Sequence, residues 1–191
     1  TLTVGVYYAK YILFDEKLAG NLILYHHAGG AVSMLLMPFL LQKGVSKRWA
    51  TLVGGAVMLA GSLVAFVQGS GVPLIISLAL RGFGFGIVSS TYYGMLADTV
   101  DYGEWKFGVR TQAVTTSAGS AGQKLGSGIG TAVFGVVLGA VGYDGLAATQ
   151  NAASLSAINV IFNIFPIALY VLIIGIMLFY KLDDEYPPIH R

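Results

Sequence analysis

The 191-residue chain contains no cysteine, and only 10% of its residues are charged. The first absence excludes disulfides and thiolate chemistry but says little about compartment. The second excludes more. An ordinary soluble domain carries about 25% charged residues, so this chain lacks the charge to cover a soluble surface. A net charge of +2 gives a nucleic-acid partner no electrostatic footprint. No segment alternates apolar and polar residues with the period of a membrane barrel, so strands are not expected. No nucleophile–base pair or metal-ligand spacing marks an enzyme, a metal site or a cofactor site. His26–His27 lacks the i, i+4 spacing of a helical metal site and reads as interfacial or pore-lining.

What the chain has is apolar length. Hydrophobic residues make up 55% of it, and it holds 26 glycines, a residue more frequent in membrane helices than in soluble ones. A spanning helix needs about 20 mostly apolar residues. By that measure the sequence predicts five complete spans, near 21–41, 49–67, 72–96, 113–141 and 157–180, and a partial one over 1–14. The fold class is therefore an all-α integral membrane protein, a six-helix bundle in the lipid bilayer with its first helix truncated. Thr1 opens the chain inside an apolar run with no basic leader, which reads as a span already in progress with something upstream. Pro38 and Pro166 fall inside spans and predict kinks. Trp49, Trp105 and Tyr180 read as interfacial anchors. The connections at 42–48 and 98–110 and the tail carry seven basic residues, Lys181 and Arg191 among them, whereas the other side carries only Lys17. That asymmetry places the carboxyl terminus in the cytoplasm.

Three basic residues fall within the spans: Lys10, Arg81 and Lys124. Charge at bilayer depth costs at least about 2.5–3.5 kcal/mol, so such residues face a cavity or a partner. At about 100° per residue, Ser117, Ser120, Lys124, Ser127 and Thr131 share roughly one 80° sector of their helix. Gly122, Gly126 and Gly130 lie on the opposite face and read as a close-packing stripe. The polar stripe suits a water-filled cavity with Lys124 at its centre; the alternative is an internal counter-ion. Arg81 shares a face with Phe85, Val88 and Tyr92. With Tyr92 it could bind hydroxyls or a carboxylate, or it could be a structural or snorkelling side chain. Lys10 sits near the outer end of its span and reads as snorkelling. No acidic residue lies mid-span, although coupling to Na⁺ or H⁺ usually needs one. Gly82 and Gly86 read as a helix-packing pair, not a phosphate loop.

The sharpest local pattern is Ala97-Asp98-Thr99-Val100-Asp101-Tyr102-Gly103-Glu104-Trp105-Lys106, followed by Arg110. Three acids gather at the carboxyl end of a helix, where the macrodipole is already negative, so cations must neutralise them. A gate closed by ion pairs and a solvated loop both fit. Together with Ser120-Ala121-Gly122-Gln123-Lys124-Leu125-Gly126-Ser127-Gly128, the pattern closely resembles the glycoside–pentoside–hexuronide:cation symporters of the major facilitator superfamily.

The resemblance covers essentially the whole chain as helices seven to twelve. It implies a carboxyl-terminal bundle over 1–191, with an amino-terminal six-helix bundle as the missing partner. It implies transport of a sugar or glycoside, with a coupling Na⁺ or H⁺ whose main site lies in that missing half. A carrier of an organic anion or lipid, or a non-transporting fragment, is the alternative. The substrate-binding candidates are Lys124, Ser120, Arg81 and Tyr92. By resemblance Lys124 matches a cavity-facing lysine. Asp98, Asp101, Glu104 and Arg110, with Lys106, form the cytoplasmic gate. Ser89 stands where the family's melibiose permease has a sugar-contacting tryptophan, and Gly119–Ser120 replace its glutamine–threonine pair. Sugar selectivity therefore does not carry over.

Overall fold

The computed structural model describes residues 2–67, 70–147, 149–180 and 182; Lys181 and Arg191 lie outside them. The helices are α1 (Leu2–Tyr11), α2 (Leu18–Gln42), α3 (Lys47–Val67), α4 (Gly71–Phe107), α5 (Gln112–Ala140), α6 (Ala152–Asn159) and α7 (Phe165–Leu178). A π-helical turn, Val160–Ile164, joins α6 to α7, and no strand occurs among the described residues.

Among the described residues, four stretches are long and apolar enough to cross a membrane: Leu18–Gln42, Lys47–Val67, Gly71–Phe107 and Ala152–Leu178. The short α1 is not among them, and neither is α5. Helix α5 has the length, but its serines and glycines, Gln123 and Lys124 make it less apolar than the other four. At 1.5 Å per residue, α4 is about 55 Å long, well beyond a hydrocarbon core of about 30 Å. The acidic pattern at 98–104 is therefore not a loop. It forms the last turns of α4, which project past the apolar part of the helix. Gly108 ends α4 at φ 70°, donating its N–H to the Glu104 carbonyl at 2.8 Å, a left-handed cap that glycine adopts freely.

Helix α4 is the central post, packed between α2 and α3 through glycine. Side chains at Gly82 and Gly86 would run into the main chain of α2 at His26 and Gly30, and one at Gly84 into the α3 main chain at Gly54 and Met58. The expected Gly82–Gly86 packing pair is thus present, with Gly84 serving the other side. Hydroxyls reinforce the contact: Thr51 and Thr91 meet oxygen to oxygen at 2.7 Å in a fully buried pair. Helix α7 packs on the far side of α3, where Gly55 leaves room for Ile174. Arg48, at the start of α3, donates to the carbonyls of Met177 (3.3 Å) and Leu178 (2.7 Å). Carbonyls at a helix end have no full set of intrahelical partners, although Tyr180 N–H also reaches the Met177 carbonyl at 3.3 Å, and a cation suits the negative pole there. Arg48→Ala is expected to fray the last turn of α7. Its amides should exchange several-fold faster, for a loss of about 1 kcal/mol, while amides in α4 keep their protection.

Helix α5 departs from expectation. Its glycine stripe meets nothing within 4 Å at Gly122, Gly126 and Gly130, so the close-packing face has no partner among the described residues. The helix touches the bundle near its two ends. Gly119 lies against the Tyr92 hydroxyl and Leu96, and Phe134 and Leu138 join the cluster of α1 and α6. The span between these contacts is exposed.

The prolines behave differently from one another. Helix α2 continues through Pro38 to Gln42. Pro166 opens α7 directly after the π-turn. A proline cannot donate to the carbonyl four residues back, here that of Phe162. That carbonyl instead accepts from Arg81 Nη2 at 3.2 Å.

Candidate functional site

Polar side chains gather in three places, and the candidate residues other than Arg81 fall in the first two. At the end of α4, Lys47 Nζ holds both carboxylate oxygens of Asp98 at 2.6 Å, with both side chains about a quarter exposed. Arg110, beyond the Gly108 cap, reaches back to Asp101 at 3.3 Å and to Glu104. The Glu104 hydrogen bond, followed by its charge, raises the pKa of Arg110. Lys106 Nζ donates to the Tyr102 hydroxyl at 2.8 Å. Lys47 and Arg110 thus supply the cations that three acids at a negative helix pole require. Lys47 is the member that sequence reasoning missed. It was legible as a basic residue on the same side, but no spacing rule joins positions 51 residues apart. A cavity of about 170 Å³ between α4 and α5, bordered by Tyr93, Ala97, Asp101, Arg110 and Thr116, lies beside this cluster.

The second place is the cleft where α5 leaves α4. The Tyr92 hydroxyl points at Gly119, so Tyr92 is brought next to Ser120. Lys124 lies one turn further along on the exposed part of α5, with Ser117, Ser120, Ser127 and Thr131 also exposed. Ser127 Oγ donates to the Lys124 carbonyl and Thr131 Oγ1 to the Ser127 carbonyl. These backbone bonds let the hydroxyls sit on the helix without melting it. The Lys124 ammonium has no ion pair among the described residues.

Arg81 belongs to neither place. It is 0% exposed, and its guanidinium lies 5.1 Å from the centre of the Phe162 ring. It therefore does not share an open surface with Tyr92, which is 37% exposed. A helical face read from sequence cannot tell which neighbouring helix covers it. His26 is likewise buried, against Phe85, and so lines no open surface; His27 is exposed and bonds the Ile23 carbonyl. Lys10 is partly exposed and pairs with Glu16 at 3.0 Å, in keeping with a snorkelling side chain.

The third place is at the opposite end of the bundle from Lys47. Tyr143, in the 141–151 connection, meets the Tyr11 hydroxyl at 3.0 Å and packs edge-on against Tyr7, which also contacts Phe134. Burial, followed by the Tyr11 hydroxyl, pushes the Tyr143 phenol well above its usual pKa, so it stays a neutral donor. Asn151 caps α6 through Ser154 N at 2.7 Å and ties the connection to the Val141 carbonyl.

Apolar helices packed by glycine around a long charged post, with an ammonium on an uncovered polar face, define a multi-pass α-helical membrane protein. The family model described as "MFS/sugar transport protein" matches residues 1–184. The chain is 37% identical over 187 residues to an isoprimeverose transporter of Lactiplantibacillus pentosus, covering 96% of this chain and 38% of that protein. It is 30% identical over 184 residues to a glucuronide carrier protein homolog of Escherichia coli K12, covering 95% of this chain and 40% of that protein. The chain belongs to the glycoside–pentoside–hexuronide:cation symporter family of the major facilitator superfamily. It spans about two fifths of the length of the curated relatives it matches. No solved structure matches it.

Proposed function

We propose that this chain is the carboxyl-terminal bundle of a secondary transporter that moves a sugar or glycoside together with Na⁺ or H⁺. An amino-terminal bundle would supply the other wall and the main cation site. The observation that carries this reading is the polar stripe of α5. An ammonium with no counter-ion among the described residues, flanked by hydroxyls and left uncovered, is what one wall of a solute cavity needs. Family membership supplies the solute class. Lys124, Ser120 and Tyr92 line the cavity; Arg81 acts from within the bundle and does not touch solute. The two bundles rock about this midplane site. The Lys47–Asp98 and Arg110–Asp101–Glu104 pairs help close the cytoplasmic side, to which the basic connections assign them.

The test is solute binding by the full-length protein and its Lys124→Ala variant. Neutral pentose glycosides and hexuronides are compared. Affinity for the preferred sugar is expected to fall tenfold or more, a loss of about 1.4 kcal/mol, with helical content unchanged because Lys124 makes no packing contact. Unchanged affinity would remove Lys124 from the cavity. Tight binding of a simple organic anion, with no sugar bound, would favour the organic-anion alternative.

A further inference from the structure

The last apolar stretch, Ala152–Leu178, is built in two pieces. Between them the Phe165 N–H reaches the Val160 carbonyl five residues back, the π-turn register. Pro166 follows, with no N–H to give. The pieces on either side have different packing partners. Helix α6 packs against α1 and α5, and Ile158 and Phe162 are buried in the cluster that holds Val4, Tyr8, Phe134 and Leu138. Asn151 Nδ2 and Ser154 Oγ both donate to the Val141 carbonyl at the end of α5, at 2.9 and 3.3 Å, so α6 and the outer end of α5 are tied together. Helix α7 instead packs on α3, through Ile174 at Gly55 and the Arg48 bonds to its last carbonyls. A π-turn and a proline are two recognised causes of a sharp helix bend. Here they fall where the packing partner changes.

The joint also holds unpaired hydrogen-bonding groups of both kinds. Arg81, fully buried on α4, gives Nη2 to the Phe162 carbonyl at 3.2 Å, while its Nε and Nη1 have no partner among the described residues. That carbonyl belongs to the peptide joining Phe162 to Asn163. Asn163 gives Nδ2 to Asn159 at 2.6 Å and leaves Oδ1 buried with no partner among the described residues. Unused donors and an unused acceptor thus meet at adjacent residues of the turn, and buried groups left so oppose the arrangement that leaves them. Room to move is present as well. A cavity of about 190 Å³ separates the last turn of α3, at Ala65 and Phe66, from Asn159, Asn163 and Ile164, where a packed interior leaves few voids. We propose that the π-turn is a hinge: α6 tilts toward the end of α3 and closes this cavity, and Arg81 exchanges the Phe162 carbonyl for Asn163 Oδ1. The tilt stands apart from the solute assignment. Only its consequence rests on that reading: because α6 is tied to α5, the tilt carries the α5 wall, Lys124 included, relative to α4.

The test is a pulsed electron–electron distance measurement on an otherwise cysteine-free full-length protein in nanodiscs. Nitroxides are placed on Leu63→Cys in α3 and Ser156→Cys in α6, both exposed positions. A bend of about 20° at the π-turn moves a point about 12 Å along the helix sideways by about 4 Å. Two distances are expected in the parent protein, the shorter by about that amount. The reference pair, Val53→Cys in α3 with Leu172→Cys in α7, both exposed, should give one. Pro166→Ala supplies an N–H for the Phe162 carbonyl and so releases Arg81; the shorter distance should gain population at least threefold. Asn163→Leu removes the second acceptor and should abolish that distance. The parent measurement does not depend on any further variant folding. A single 63–156 distance in the parent overturns the proposal. Two distances whose proportions Asn163→Leu leaves unchanged overturn the exchange of Arg81 onto Asn163.

Discussion

Gly82→Val is expected to prevent the bundle from assembling. A Cβ at Gly82 would overlap the carbonyl oxygen of His26 and lie 2.7 Å from its carbon. The obstacle is main chain of α2, not the end of a flexible side chain, so it cannot rotate away. Relief requires moving α2 off α4 along the contact that also seats Gly86 on Gly30 and Gly29 on Ala79. Overpacking a well-fitted interior costs about 1–3 kcal/mol even when neighbours yield. Here two helix backbones must separate, and the loss is expected to exceed about 3 kcal/mol. Membrane helices associate through close van der Waals packing, so no hydrophobic collapse makes up the difference. Size-exclusion chromatography of the variant should show the monodisperse peak lost. Gly122→Ala is the control. Its Cβ meets nothing, and in a helix interior alanine is favoured over glycine by up to about 1 kcal/mol. Its peak should match the parent's, and equal behaviour of the two variants would contradict the packing described.

Lys47→Glu is expected to have the next largest effect. It replaces the ammonium that holds both oxygens of Asp98 by a carboxylate beside a carboxylate, at a helix pole already negative. The pair is about three quarters shielded, so it is worth more than an exposed bridge of about 0–1 kcal/mol. Uptake by the full-length transporter should fall about tenfold or more. Exchanging the charges, as Lys47→Asp with Asp98→Lys, should recover much of it, because the attraction survives the exchange. Arg110→Ala acts at an exposed site and should cost less. A charge-exchanged protein no better than Lys47→Glu alone would show that the residues are needed for something other than their mutual attraction.

The legible part of this molecule was what runs of apolar residues decide. Helices α2, α3 and α4 and the stretch from α6 to α7 lie where runs of 20 apolar residues placed them, because lipid leaves the backbone few alternatives. Spacing identified Gly82 and Gly86 as packing positions, and they are. The same spacing at Gly122, Gly126 and Gly130 found no partner, since periodicity fixes which face a residue occupies and not whether a helix covers it. Arg81 was legible as a charge within a span. Its setting was not, because its acceptor is a carbonyl freed by Pro166 and its neighbours come from α3 and the π-turn. Lys47 was legible only as part of a basic connection. Its role depends on the antiparallel pairing of α3 with α4, which brings position 47 to position 98.

The most direct measurement is gradient-driven uptake by the full-length protein in proteoliposomes. Labelled glycosides, pentosides and hexuronides would be offered with an inward Na⁺ or H⁺ gradient. The expected result is accumulation of at least one of these sugars above equilibrium, lost when the gradient is dissipated. Absence of uptake of every sugar under either gradient, from protein shown to be folded by chromatography, would contradict the proposed function.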